Sequence, residues 1–155
     1  MSNINLEIIK YLTNNTIVSQ NKLEKQLYLV DWFSCLINEN QLSSFDWKSD
    51  NGPKAKGLNK LIHDNDDILK IIEKNNIKSI HFENYLNNFQ EKDSKIINFV
   101  LEKTKDLNIS ELTDYVFSSY PFQASHRNYD LNLKELSLEY LEEKNKDINV
   151  FDLDR

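Results

Sequence analysis

The chain has 155 residues, enough for one domain with a core of its own. It is 39% hydrophobic and 28% charged, a globular composition, and its formal net charge of -6 counts against a broad phosphate-binding surface. Nucleic acid is therefore not an expected partner, whereas an acidic surface suits a basic protein.

Only two Gly and two Pro occur, a scarcity that favours helices over folds rich in tight turns. The single cysteine, Cys35, excludes an internal disulfide and points to a reducing compartment. No apolar run approaches the length of a membrane span, so no membrane partner is expected. Residues 1–10 lack the basic start and long apolar stretch of a signal peptide, and a cytoplasmic location is the expectation.

In chain order, Ile4, Ile8, Ile9 and Leu12 recur at helical spacing and predict a first short helix. Residues 19–38 predict a second. Between Leu27 and Ile37 only Asp31 and Ser34 are strongly polar, so this helix must be enclosed by the rest of the fold. Its polar lead-in, 21–26, is expected at the surface. In 41–48, Phe45 and Trp47 alternate with polar residues, which is strand periodicity. The turn signal Asp50, Asn51, Gly52, Pro53 follows. Pro53 is then expected to open a helix over 53–63, buried through Leu58, Leu61 and Ile62. Ile68, Leu69, Ile71 and Ile72 suggest a further helix over 66–74, ended by Asn75 and Asn76. A strand over 77–82 is expected to pair with the Phe45/Trp47 strand and to rest on the central helix. Helices follow over 93–104, 108–118 and 132–144, the last two opened by capping-box patterns at Asn108/Glu111 and Asn132/Glu135. Pro121 after Tyr120 is expected to close the middle one. The fold class is thus α+β, mainly α: helices around a buried central helix with a small antiparallel sheet. One domain is expected over 1–145. A tail over 146–155 follows, whose apolar Val150, Phe151 and Leu153 suit docking on the core or on a partner.

Little here speaks for catalysis. His63, His81 and His126 lie far apart and carry no zinc-ligand spacing. Gly-rich phosphate loops, HExxH and GxSxG are absent, so no cofactor, metal or catalytic residue is assigned. Cys35 reads as a small buried hydrophobe. Asp31 interrupts an apolar helix and must be paired or hydrogen-bonded. It is either a structural acid, held by a Lys, an Arg or backbone amides, or it edges a partner groove. A hydrolase using Asp31 with a histidine is the enzymatic alternative. Tyr28, Trp32, Phe45, Trp47, Tyr115 and Tyr120 divide between core and interface anchors in a way that sequence alone leaves open.

Three segments taken together carry a resemblance. Lys22 to Asp31 (KLEKQLYLVD) resembles the KLxKLLYxxD helix of the SocA-like antitoxin, or Panacea, domain. Phe45, Asp46 and Trp47 followed by Gly52-Pro53 resemble that family's aromatic strand and YGP turn, with Asn51 in place of the turn tyrosine. Leu112 to Pro121 (LTDYVFSSYP) resembles its late LxxxVYxTYP segment. The resemblance extends from about Lys22 to Leu141. It implies a mostly helical α+β domain that neutralises a toxin encoded beside it, usually by direct contact, in bacterial and phage toxin–antitoxin pairs. Some members resemble adaptors that deliver the toxin to a protease. Carried over by motif position, Lys22, Lys25, Tyr28, Asp31, Trp47 and Tyr120 are candidate partner-binding residues, and Gly52 and Pro53 form the turn. The alternative reading is a phage-encoded inhibitor, or a subunit of a phage-defence complex, that also works by binding protein.

Overall fold

The computed structural model describes residues 3–124 and 130–144. His126, Arg127 and the tail with Val150, Phe151 and Leu153 lie outside the described residues.

The architecture is organised around one helix. Ser19 caps it, its hydroxyl accepting the Lys22 amide at 3.2 Å, and helix α2 (Gln20–Asn38) then runs for 19 residues. Every residue from Lys25 to Leu36 is buried. Such a helix has no face for water and must be covered on all sides. The cover comes from helix α1 (Ile4–Leu12), α4 (Glu91–Thr104), α5 (Ile109–Phe117) and α7 (Leu133–Lys144), together with parts of two small sheets. The polar lead-in is less exposed than expected. Lys25 and Gln26 are buried, because Gln26 donates its amide to Thr104 Oγ1 on α4 at 2.9 Å.

The predicted helix starts hold where side chains cap them. Asn3 accepts the Asn5 and Leu6 amides ahead of α1. Asn108 and Glu111 form a reciprocal capping box on α5. Asn132 accepts the Glu135 amide at 3.1 Å ahead of α7. Pro121 does not close a helix. It sits in the first turn of a short α6 (Tyr120–Ala124), where a proline lacks no needed donor.

The strands depart further from expectation. There are two antiparallel three-stranded sheets. In the first, β5 (Ile77–His81) lies between β1 (Ile17–Ser19) and β4 (Lys70–Lys74). In the second, β2 (Trp47–Ser49) lies between β3 (Pro53–Ala55) and β6 (Asp130–Leu131). The strand over 77–82 therefore does not pair with the Trp47 strand. Val18 opposes Ile80 across β1 and β5, and both are buried, so that pairing covers apolar surface. The expected helix over 53–63 splits into β3 and a shorter helix α3 (Leu58–Asp64). Pro53 starts an edge strand, where its missing N–H is tolerated. The expected helix over 66–74 is a turn followed by β4.

Asparagine explains these departures. Five of the six non-glycine residues with positive φ among those described are Asn15, Asn51, Asn75, Asn76 and Asn84, at φ 53 to 63°. Asn adopts the left-handed region more readily than other residues with a Cβ, so it supplies turns that glycine usually makes. Asn75 and Asn76 both take positive φ between Lys74 and Ile77, which pair, as a two-residue type I′ hairpin turn requires. Asn76→Ala is expected to lower stability by about 1 kcal/mol, and Asn76→Gly to preserve or raise it. Urea unfolding measures both, and equal losses would mean that left-handed geometry does not set this turn.

Candidate partner-binding site

The buried carboxylate of Asp31 fixes the first part of the site. One oxygen accepts the Ser43 amide at 2.8 Å. The other accepts the Ser43 hydroxyl and, at 2.8 Å, the Trp47 indole N–H. Asp31 is therefore held by backbone and neutral side-chain donors, not by a lysine. Gln41 extends the network by donating to the carbonyl oxygens of Ser43 and Phe45. The effect is to fold the 40–46 loop back onto α2 and to seat Phe45 and Trp47 in the core. Burial pushes the Asp31 carboxyl up to about 6, against the pull of donors from Ser43, Trp47 and the Leu42 backbone. Burial, then the Asp31 charge, pushes the Cys35 thiol up to about 12.

Tyr28 makes the second connection. It is fully buried, its ring packs edge-on against Trp47 and Phe122, and its hydroxyl lies 2.8 Å from Ser119 Oγ. Burial raises its phenol well above the ordinary range. Ser119 occupies the bend between α5 and α6, so Tyr28 fixes where that bend meets α2.

Beside this bend lies an open groove of about 460 Å³. Its floor is the α2 stripe Leu29, Trp32, Phe33 and Leu36, which repeats at i, i+3, i+4 and i+7. Tyr115 on α5 and Ser118 just beyond its end, Tyr120 and Gln123 on α6, and Tyr140 and Lys144 on α7 form the walls. Tyr140 contacts Trp32 at a ring separation of 6.1 Å and Tyr120 at 5.2 Å. The Tyr120 hydroxyl donates to Glu139 at 3.0 Å and is also engaged by Glu143. Partial desolvation and these two carboxylates hold the phenol up at about 12.

The candidate residues thus separate by depth. Tyr28, Asp31 and Trp47 are interior, so in this conformation they shape the site without reaching a partner. Lys25 is buried along its stem and donates to Asn21, while Lys22 is half-buried near the start of α2. Burial, then the nearby Lys54 charge, lowers the Lys25 ammonium pKa. Gly52 has φ 123° in the β2–β3 turn, next to Pro53. Tyr120 alone of the set lines the groove. Tyr140, Glu139, Glu143 and Lys144 carry no motif signal in the sequence. They stand about 20 residues beyond the Tyr120 motif, and no local pattern links the two segments. His63 is exposed, and His81 contacts the Thr16 carbonyl and Glu83. Among the described residues, no three His, Cys, Asp or Glu side chains gather as a metal site would require.

Residues 23–121 match the family model described as antitoxin SocA-like, Panacea domain. That range includes Tyr28, Asp31, the β2–β3 turn and the α5–α6 bend. Neither the comparison with curated proteins nor that with solved structures gives a match.

The Asp31 shift has a definite pH signature. The folded-state pKa, about 6, exceeds the ordinary 3.8, so the folded protein holds this proton more tightly between those values. The associated stability is complete below about pH 4 and is lost as pH rises through about 6, with a ceiling of about 3 kcal/mol. Measured against Asp31→Asn, which does not titrate, wild type should lose relative stability across that window. A flat difference would contradict the assignment. Trp47→Phe should move the Asp31 carboxyl further up, as read by carboxyl NMR shifts, and cost about 2 kcal/mol at neutral pH.

Proposed function

Because the chain belongs to the SocA-like antitoxin (Panacea domain) family, we propose that it neutralises a cognate protein toxin by direct contact at the aromatic groove between α2 and α5–α7. Family membership carries the antitoxin-type role and the kind of partner, a toxin. The observation that supports contact at this place is the groove, where Tyr120 and Tyr140 stand half-buried above a Trp32 floor. Tyrosine and tryptophan present large, stiff, amphipathic surfaces whose ordering on binding loses little entropy, and they are enriched among interface anchors.

Binding, not catalysis, is the proposed activity. Asp31, Tyr28 and Cys35, whose acidity burial alters, are buried and do not line this groove, and Tyr120, which does line it, is tied to Glu139. The proposed setting is the cytoplasm, in a toxin–antitoxin pair that includes phage defence among its uses. Contact alone leaves the toxin intact within a complex. Delivery to a protease would instead lower the toxin level, and immunoblotting separates the two.

The test is to express each gene flanking the coding sequence alone and together with this protein. One neighbour is expected to arrest growth, co-expression to restore it, and the two proteins to purify together. Ser118→Arg places bulk in the groove at an exposed position and should weaken the complex at least about tenfold, with Tm little changed. Harmless neighbours, or rescue without a complex, would overturn the reading. A complex indifferent to Ser118→Arg would move the contact elsewhere on the surface.

A further inference from the structure

The α7 side of the groove has a chemistry more specific than an apolar anchor site. Tyr140 touches Trp32 through one side and Tyr120 through another. Over its ring, 5.7 Å from the centroid, stands the Lys144 ammonium, one turn further along the same helix. The free protein thus holds a cation of its own in the aromatic end of the groove. Glu139 and Glu143, four residues apart on α7 and both exposed, border the groove at the hydroxyl edge of Tyr120, whose neutral phenol engages both. Like charges at this helical spacing repel, and a hydroxyl donor does not neutralise them. A pair of packed rings, Tyr140 and Tyr120, bordered by two carboxylates at the Tyr120 hydroxyl is complementary to a planar cation, which can stack on a ring and donate to a carboxylate at once.

We propose that this end of the groove is a recognition pocket for an arginine side chain of the partner protein, and that Lys144 fills it as an internal competitor until the partner binds. The proposal rests on the reading of the groove as the partner contact and gives that partner a chemistry: a basic surface presenting arginine among apolar residues. The net charge of -6 on the chain agrees with it. Arginine is favoured over lysine because a guanidinium offers both the flat face and the fork of donors, whereas the ammonium is already supplied internally.

Two arms test it. In the first, the full chain is titrated with the peptide amide acetyl-Leu-Arg-Leu and with its citrulline counterpart, which has the same shape without the charge. Shifts of the Tyr120 and Tyr140 ring resonances report binding. The arginine peptide is expected to shift both rings and the citrulline peptide neither. Lys144→Ala should tighten arginine-peptide binding about two- to fivefold, as removal of an exposed cation–π competitor implies. The pair Glu139→Gln and Glu143→Gln should weaken it, while Glu102→Gln on α4 makes a single charge change away from the groove and should not. Equal shifts from the two peptides, no binding, or no effect of Lys144→Ala would overturn the proposal. In the second arm, Glu139→Lys with Glu143→Lys should abolish complex formation with the growth-arresting neighbour, and Lys144→Ala should strengthen it. If no neighbour is toxic but the first arm succeeds, the antitoxin reading fails and the pocket stands. If neutralisation works but the peptides do not distinguish charge, the pocket fails and the antitoxin reading stands.

Discussion

The structure depends on the requirement that α2 be covered on every side. A helix buried from Lys25 to Leu36 cannot be stable in water, so α1, α4, α5, α7 and parts of both sheets are placed by which of its flanks they cover. One carboxylate in the middle of that helix sets a second requirement. Asp31 is removed from water and must be given donors, and Ser43 and Trp47 supply them. The chain leaving α2 therefore has to turn back through Glu39, in the left-handed region at φ 67°, and lay the 40–46 loop against the helix it has just left. The β2–β3 hairpin follows from that reversal, since Trp47 is both a donor to Asp31 and the first residue of β2.

The helical part of this arrangement was legible in the sequence because helical signals are local. The 3.6-residue repeat of Ile96, Ile97 and Val100 marks α4, and the Asn108/Glu111 pair marks the start of α5. Strands of two to five residues are too short to display a period of their own. Ile68, Leu69, Ile71 and Ile72 satisfy helical spacing as well as any short helix does. What decides for a hairpin is Asn75 and Asn76, whose capacity for positive φ is weaker on paper than that of the glycines they replace. Scarce glycine argues for few tight turns, but in this chain asparagine makes them. Gln26 shows a different limit. Its burial depends on Thr104, 78 residues away, and nothing near either position announces the pair.

The site was legible in the same uneven way. Tyr28, Asp31, Trp47 and Tyr120 were singled out by motif position, and three of them are the interior framework on which the groove is built. The groove's far wall comes from α7. Tyr140 reaches Trp32 and Tyr120 only because α7 packs along both α2 and α6. That is a tertiary fact, with no trace in the spacing of residues along either segment.

The two jobs of α2 lie on neighbouring stripes. Tyr28, Asp31 and Cys35 face the interior around the Asp31 network, while Leu29, Trp32 and Leu36, each one position on from them, form the groove floor together with Phe33. Rigidity is therefore delivered to the floor by the same residues that fix the fold, and a change at Asp31 is transmitted to Trp32 through a single backbone step. The rim is organised differently. Ser118, Gln123 and Lys144 are exposed and come from the α5–α6 bend, α6 and α7, and Glu139 stands exposed beside them at the Tyr120 hydroxyl, so each can be exchanged with little effect on the buried contacts. A groove with a fixed aromatic floor and an exchangeable charged rim separates affinity from specificity. The half-buried Tyr115, Tyr120 and Tyr140 of the walls supply the anchorage on the proposed reading, the buried floor holds them in place, and the rim chooses among partners by charge. On the proposed reading, a protein built this way changes toxins by altering α6 and α7 side chains at the mouth of the groove, while α2 and the Asp31 network stay as they are.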